Sequence, residues 1–212
     1  MKAEDSIEKI TAAIDAVHAA RLKAISKKHR REMADYANGL VQGEGLTGSA
    51  ARLTVRRMRS AELWPTLNLI VQSAIERRLA ENDLAGPWAS LTQDEEELAT
   101  LSGRGVGRHY PGSLVSRSYE LPYLLVKELR TASIRVSEEP LAKLEELGLT
   151  YQSLDYTAEE QEQRDELIAA VYSVPRIIRQ GLERYGPWPR EETPPSAPQS
   201  PNEGDSINLD RR

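Results

Sequence analysis

Lys23, Lys27 and the neighbours Arg30 and Arg31 stand at steps of four and then three or four residues, so on a helix their side chains share one face. Arg52, Arg56 and Arg59 repeat the pattern, and Lys28 and Arg57 add charge beside the two rows. Two such faces, adjacent in space, are what contact with a nucleic-acid backbone requires, because each cation that meets a phosphate releases a condensed counterion. The same rows also fit a solvated helix face, or a docking surface for the acidic half of the chain. In GLTGSAARLTVRRMRSAELW (45–64) a glycine-containing turn leads into the arginine-bearing segment, as in a helix-turn-helix. No Asn, Gln or Ser stands between Arg52 and Arg59, so phosphate contact with little reading of base edges is the more economical chemistry.

The second stretch with chemical content is GRGVGRHYPG (103–112). Its glycines free backbone amides that can form an anion nest, and Arg104 and Arg108 add two candidate phosphate contacts. A dinucleotide fingerprint needs a preceding strand, and here an acidic helical pattern precedes. A nucleotide P-loop needs a lysine followed by Ser or Thr, which is missing. The stretch reads as a basic turn.

Within it, Arg104 and His109 are separated by four residues, and this spacing resembles the arginine-histidine pair of the HEPN family of helical ribonucleases. The resemblance covers six residues. It implies a ribonuclease in which His109 transfers a proton and Arg104 stabilises phosphate charge. In that family the pair belongs to a helix, whereas Gly105 and Gly107 disfavour one here.

Other chemistries lack their residues. The chain has no cysteine, which excludes disulfides, thiolate catalysis and Cys-ligated metal centres. The three histidines, His18, His29 and His109, have no Glu-x-x-His partner, so no metal is expected. No Gly-x-Ser-x-Gly elbow occurs. The acidic runs 94–98 and 158–166 stand in first turns of expected helices, where carboxylates complement the helix dipole. No cofactor is expected.

Charge is divided along the chain. The net of −5 over 212 residues hides 14 Lys+Arg against 9 Asp+Glu in residues 1–80 and 14 against 24 in residues 81–212. Residues 21–78 alone hold 12 basic and 5 acidic groups, the strongest functional signal present. The N-terminus carries acids and lacks an apolar core segment, and nowhere do about 18 apolar residues run together. These features predict a cytoplasmic protein that neither enters nor spans a membrane.

The elements that must position these charges follow from apolar spacing. Ser6 is expected to cap a long helix through Ile7, Ile10, Ile14, Val17, Met33, Ala37 and Leu40, ending near 41–45. Thr47 or Ser49 starts a second helix. Pro65 opens a third, with Leu67, Ile70, Val71, Ala74, Ile75 and Leu79 on one face. Thr92 and Glu95 form a capping box for a short helix ending at Gly103. SLVSRSYEL (113–121) fits a short strand or an irregular stretch, and 122–136 fits a helix with Pro122 in its first turn. Ser137 then caps a separate helix with Leu141, Leu144 and Leu147 inward and Gly148 as its stop. A second capping box, Thr157 with Glu160, starts a helix running to Tyr185 and Gly186, kinked at Pro175.

The expectation is therefore an all-α protein of about six or seven helices. It has a basic N-terminal half (1–82), an acidic C-terminal half (88–186) and a disordered Pro/Ser-rich tail (187–212). Ile207 and Leu209 in that tail fit a tethered docking peptide as well as an unstructured end. Function is expected to be binding without catalysis, with nucleic acid as partner through Lys23, Lys27, Lys28, Arg30, Arg31, Arg52, Arg56, Arg57, Arg59, Arg104 and Arg108. The alternative is an adaptor or assembly protein that binds a protein partner, or itself as a homo-oligomer, through charge-complementary halves.

Overall fold

The computed structural model describes residues 6–60, 62–96, 113–150, 153 and 155–185. Seven helices and one two-stranded sheet make up these residues, so the chain is all-α with a small β element. In chain order they are β1 (Ile7–Asp15), α1 (Ala16–Glu44), α2 (Gly48–Arg57), α3 (Leu67–Leu79), α4 (described over 93–96), β2 (Leu114–Pro122), α5 (Tyr123–Glu146), α6 (Ala158–Ala170) and α7 (Val174–Arg184). The expected end of α4 at Gly103, the glycine-rich stretch 103–112 and the C-terminal tail lie outside the described residues.

The first expected helix divides in two. Residues 7–15 form a strand, antiparallel to β2 in a register that sets Ile10 opposite Tyr119 and Ile14 opposite Val115. Ile7, Ile10 and Ile14 fit helical spacing, yet Ile10, Ala12 and Ile14 also alternate at period two, and it is these three that are buried. The β-branched isoleucines and Thr11 favour the strand, and a distant partner decides the matter. Thr11 and Ser118 join their hydroxyls across the exposed face at 2.8 Å.

The main core lies between this ribbon and α3, α5 and α7, and takes residues from both charge halves: Ile14, Leu22, Ile75, Leu121, Leu129 and Ile178 are all buried in it. Leu67, expected inward, is exposed because Thr66 caps α3 and leaves it at the first helical position. Helices α5 and α6 enclose a second cluster of Leu144, Leu149, Ile168 and Val171.

Two further boundaries differ from expectation. Ser137 caps nothing. Helix α5 runs unbroken through it, with Pro140 inside, and the buried Ser137 hydroxyl accepts the Tyr172 amide at 2.8 Å. Leu147, expected inward, is exposed at the C-cap. Gly148 does stop the helix, at φ +68°, with the Leu149 amide donating to Leu144 O and the Gly148 amide to Glu145 O. At Pro175 the chain breaks instead of kinking. Proline disfavours a helical residue before it and supplies no amide, so α6 stops at Ala170 and α7 restarts at Val174 with Pro175 in its first turn. Arg176 donates to the Ala169 and Val171 carbonyls exposed by the break.

Both capping boxes form. Thr157 accepts the Glu160 amide at 3.2 Å while Glu160 accepts the Thr157 amide at 2.7 Å, and Thr92 with Glu95 does the same at 3.3 and 2.7 Å. Thr157→Ala removes one half of the first box and is expected to cost about 1 kcal/mol. That lowers the melting temperature by about 2–4 °C in a chain of this size, measurable by thermal denaturation followed by circular dichroism.

Candidate nucleic-acid interface

The basic residues lie on a helical arm. Helix α1 has 29 residues, about 43 Å of helix, and only its first half, through Leu22 and Ile25, reaches the main core. Gly45 ends it in the left-handed conformation, φ +68°, which glycine adopts without steric penalty. Leu46 and Thr47 complete the turn, Thr47 caps α2 through the Ala50 amide at 3.3 Å, and α2 packs back on the second half of α1. Their seam is a separate cluster: Ala37, Ala51 and Val55 are buried, with Met33, Leu40, Leu46 and Trp64 packed against them.

Lys23, Lys27, Lys28, Arg30 and Arg31 on α1 are all exposed, as are Arg52, Arg56 and Arg57 on α2 and Arg59 just beyond it. Helix periodicity sorts them. Seen along α1, its residues wind clockwise while those of the reversed α2 wind anticlockwise, so positions after the seam on both helices fall on the same side. Arg30, Lys23 and Lys27 of α1 and Arg52 and Arg56 of α2 therefore form one stripe. Lys28 and Arg57 lie towards the other side. Arg59, expected to extend the α2 row, departs from it because the helix has ended, and its Nε donates to Trp64 O at 2.9 Å.

Electrostatic partners separate the two readings of these charges. Lys28 pairs with Glu32, at 3.8 Å between exposed side chains. Among the described residues no ion pair engages Lys23, Lys27, Arg31, Arg52, Arg56 or Arg57. Three acids of the C-terminal half are engaged nearer home. Glu95 takes Arg135 at 2.7 Å, and that hydrogen bond, with the Thr92 amide, holds its carboxyl down at about 2. Arg135 also reaches Glu138 and the Ala89 and Ser90 carbonyls, tying 89–95 to α5. Glu160 is held low by its cap, and Asp165 accepts from Gln161. Among the described residues of one chain, the basic rows therefore do not pair with Glu95, Glu160 or Asp165.

Three residues not singled out by spacing join the arm. Residues 62–66 return to α1 so that Trp64 meets Tyr36 edge-to-face at 5.6 Å between ring centres, and His29 Nδ1 lies 3.3 Å from Pro65 O. An aromatic among cations on a helix face, Tyr36, and a tryptophan beside a proline, Trp64, are the signals the sequence offers for them. His18, by contrast, belongs to the core edge, with Nδ1 3.3 Å from Asp15 Oδ2. Arg104, Arg108 and His109 lie outside the described residues. Among the described residues no group of three or more His, Cys, Asp or Glu could hold a metal, and no helix is long and apolar enough to cross a membrane.

No protein-family model, curated protein or solved structure matches the chain.

Proposed function

We propose that the protein binds nucleic acid without acting on it chemically, contacting phosphates through the α1–α2 arm. What carries this reading is the exposure of Lys23, Lys27, Arg30, Arg52 and Arg56, five cations from two packed helices that helix periodicity assigns to one side of the arm. Cations paired with carboxylates would have no counterions to release, whereas solvated ones gain the release entropy when phosphates replace the ion atmosphere. Acids of the C-terminal half find partners within it: Glu95 pairs with Arg135, Glu139 with Lys143, and Glu160 closes its helix cap. The excess of acid elsewhere in the chain then limits indiscriminate association.

The test is fluorescence anisotropy with labelled duplex DNA and single-stranded RNA at about 50 and 200 mM salt. Changing Arg52, Arg56, Arg57 and Arg59 together to Gln is expected to weaken binding at least about tenfold at the lower salt. It should also flatten the dependence of log K on log salt by up to about 0.9 for each phosphate that is no longer neutralised. Absence of binding at the lower salt rejects the reading.

A second reading, an adaptor or assembly protein, is favoured by one observation: Tyr36, Val41, Leu53, Met58 and Leu63, all large and exposed, belong to the same arm. In that case the arm meets a protein partner, or a second copy, through apolar contact. Sedimentation of the wild type beside Leu53→Ser distinguishes it, because Leu53 points away from the seam and contributes nothing to phosphate contact.

A further inference from the structure

We infer that the arm selects single-stranded over duplex nucleic acid, with Tyr36 as a stacking platform for an unpaired base; this rests on the reading just proposed. Three features of the arm point there.

The first is the distribution of charge around it. The stripe of Lys23, Lys27, Arg30, Arg52 and Arg56 lies on one flank, and Lys28, Arg57 and Arg59 lie away from it. A duplex, stiff over about 150 base pairs, meets one flank of a two-helix arm at a time. A single strand bends within a few nucleotides and can follow cations on both.

The second is the aromatic pair. Tyr36 is 44% exposed although it belongs to a helix with apolar positions to spare in its seam, and Trp64 props it edge-on at 5.6 Å. The edge-to-face contact fixes the tyrosine ring from one side and leaves it outside the seam cluster, of which Trp64 is a member and Tyr36 is not. Every base has a π-face, so such a ring accepts any base that is not already paired and stacked. Bases inside a duplex offer no free face.

The third is how Trp64 is held. Its φ is +51°, a left-handed backbone conformation that a bulky aromatic side chain rarely adopts, and the surrounding contacts keep it there. Arg59 Nε donates to its carbonyl at 2.9 Å and His29 Nδ1 sits 3.3 Å from the next carbonyl, that of Pro65. This arrangement brings a cation, the supporting indole and the exposed phenol ring together, the combination that sequence-tolerant binding of a single strand uses. Glu32, on α1 one turn before Tyr36, is within 3.8 Å of Lys28, which offsets its repulsion of phosphate.

The experiment compares one labelled DNA strand of mixed sequence with its own duplex, so that sugar and sequence are held constant, using wild type, Tyr36→Ala and Tyr36→Phe. The single strand is expected to bind the wild type about tenfold more tightly than the duplex. Tyr36→Ala is expected to erase that preference by weakening the single strand about tenfold, with the duplex affinity and the salt slope unchanged, and Tyr36→Phe to restore it. Equal affinities for strand and duplex overturn the inference while leaving phosphate binding intact. So does a Tyr36→Ala variant that weakens both equally, which makes the ring a structural prop, or one that weakens neither. If neither strand nor duplex binds at low salt, the parent reading fails and the inference with it.

Discussion

Asp83→Ala is expected to destabilise the protein by about 2–3 kcal/mol, although Asp83 itself is 45% exposed. The reason is Arg78. Its side chain is 1% exposed, in the last turn of α3 beneath α7, and Asp83 takes it with both oxygens, at 2.7 and 2.6 Å. Gln180 Oε1 and Glu81 Oε2 accept at 3.1 Å each, Tyr172 donates its hydroxyl to Asp83 at 3.1 Å, and the Tyr172 ring lies 5.8 Å from the guanidinium. Removing Asp83 leaves a buried cation with its best partner gone. Breaking a buried pair typically costs 3–5 kcal/mol; Glu81 remains and water reaches the vacated position, which moves the expectation below that range. The melting temperature should fall by roughly 5–10 °C.

The reverse deletion differs. Arg78→Met leaves a carboxylate that is already nearly half in water, so it is expected to cost less than Asp83→Ala; equal costs would refute the asymmetry. The hydrogen bond from Arg78 lowers the Asp83 carboxyl below its ordinary range, against a smaller opposing effect of burial. The folded state therefore binds fewer protons at Asp83 than the unfolded chain does. The stabilisation is fully present above the unfolded value near 3.9 and is lost as pH falls through the lower folded value. Chemical denaturation at descending pH should accordingly show wild type and Asp83→Ala converging in acid. A gap that stays constant would mean that the carboxylate charge is not what holds Arg78.

Neither buried arginine is legible as buried, and the reason is physical. Arg78 and Arg164 keep step with the apolar stripes of their helices, with Ala74 and Ile75 for one and Leu167 and Ile168 for the other, but a guanidinium belongs in water unless a partner from elsewhere makes burial tolerable: Asp83 and Gln180 for Arg78, the Leu149 carbonyl at 3.2 Å for Arg164. Caps are different, because Thr92 with Glu95 and Thr157 with Glu160 complete themselves within four residues. The strand at 7–15 is hidden for the same reason as the arginines. Its two periodicities are locally equivalent, and the choice rests on β2, whose Ser118 is 107 positions from Thr11. Likewise Ser137 followed by Glu138 and Glu139 has the local look of a helix start, and only the Tyr172 amide reveals it as a tie between helices.

The arm divides along the same line. Its cations can be counted and their helical faces assigned from spacing, since both are properties of one segment. That the two faces adjoin depends on the turn at Gly45–Thr47 and the seam of Ala37, Ala51 and Val55. That Tyr36 meets Trp64 depends on the return of residues 62–66, which spacing does not specify. Absence of an ion pair is the least legible property of all, because it requires knowing that Glu95 and Glu160 are engaged elsewhere.

Gly181→Val is expected to have the largest effect on stability, about 4 kcal/mol. Helix α7 crosses α3 so closely that a Cβ built on Gly181 would lie 2.6 Å from the Ala74 carbonyl oxygen and 3.0 Å from its carbon, with Arg78 Cβ at 3.4 Å. Two of these three atoms are backbone, so no rotamer change relieves the contact and one helix must move. The interiors on both sides are full: Ile75, Ile177, Ile178 and Leu182 are all buried to within 2%. A methyl group alone, in Gly181→Ala, exchanges an overpacking cost of about 1–3 kcal/mol for about 1 kcal/mol of helix propensity, and should destabilise mildly. Valine adds two carbons at the same crossing and a stiffer side chain, and the displaced α3 carries Arg78 away from Gln180 and Asp83. Gly39→Ala is the control of opposite sign. Nothing lies within 4 Å of a Cβ there, in the second half of α1, so it should stabilise by about 0.5–1 kcal/mol. Urea denaturation of the three variants decides the matter, and a Gly181→Val protein within about 1 kcal/mol of wild type would show that the crossing can open freely. Because the arm's seam shares no residue with the main core, the same variant, held below its melting temperature, should bind nucleic acid as the wild type does. Loss of binding together with stability would instead show that the crossing of α3 and α7 positions the arm through β1, whose Ala13 carbonyl accepts from Arg179 at 3.0 Å.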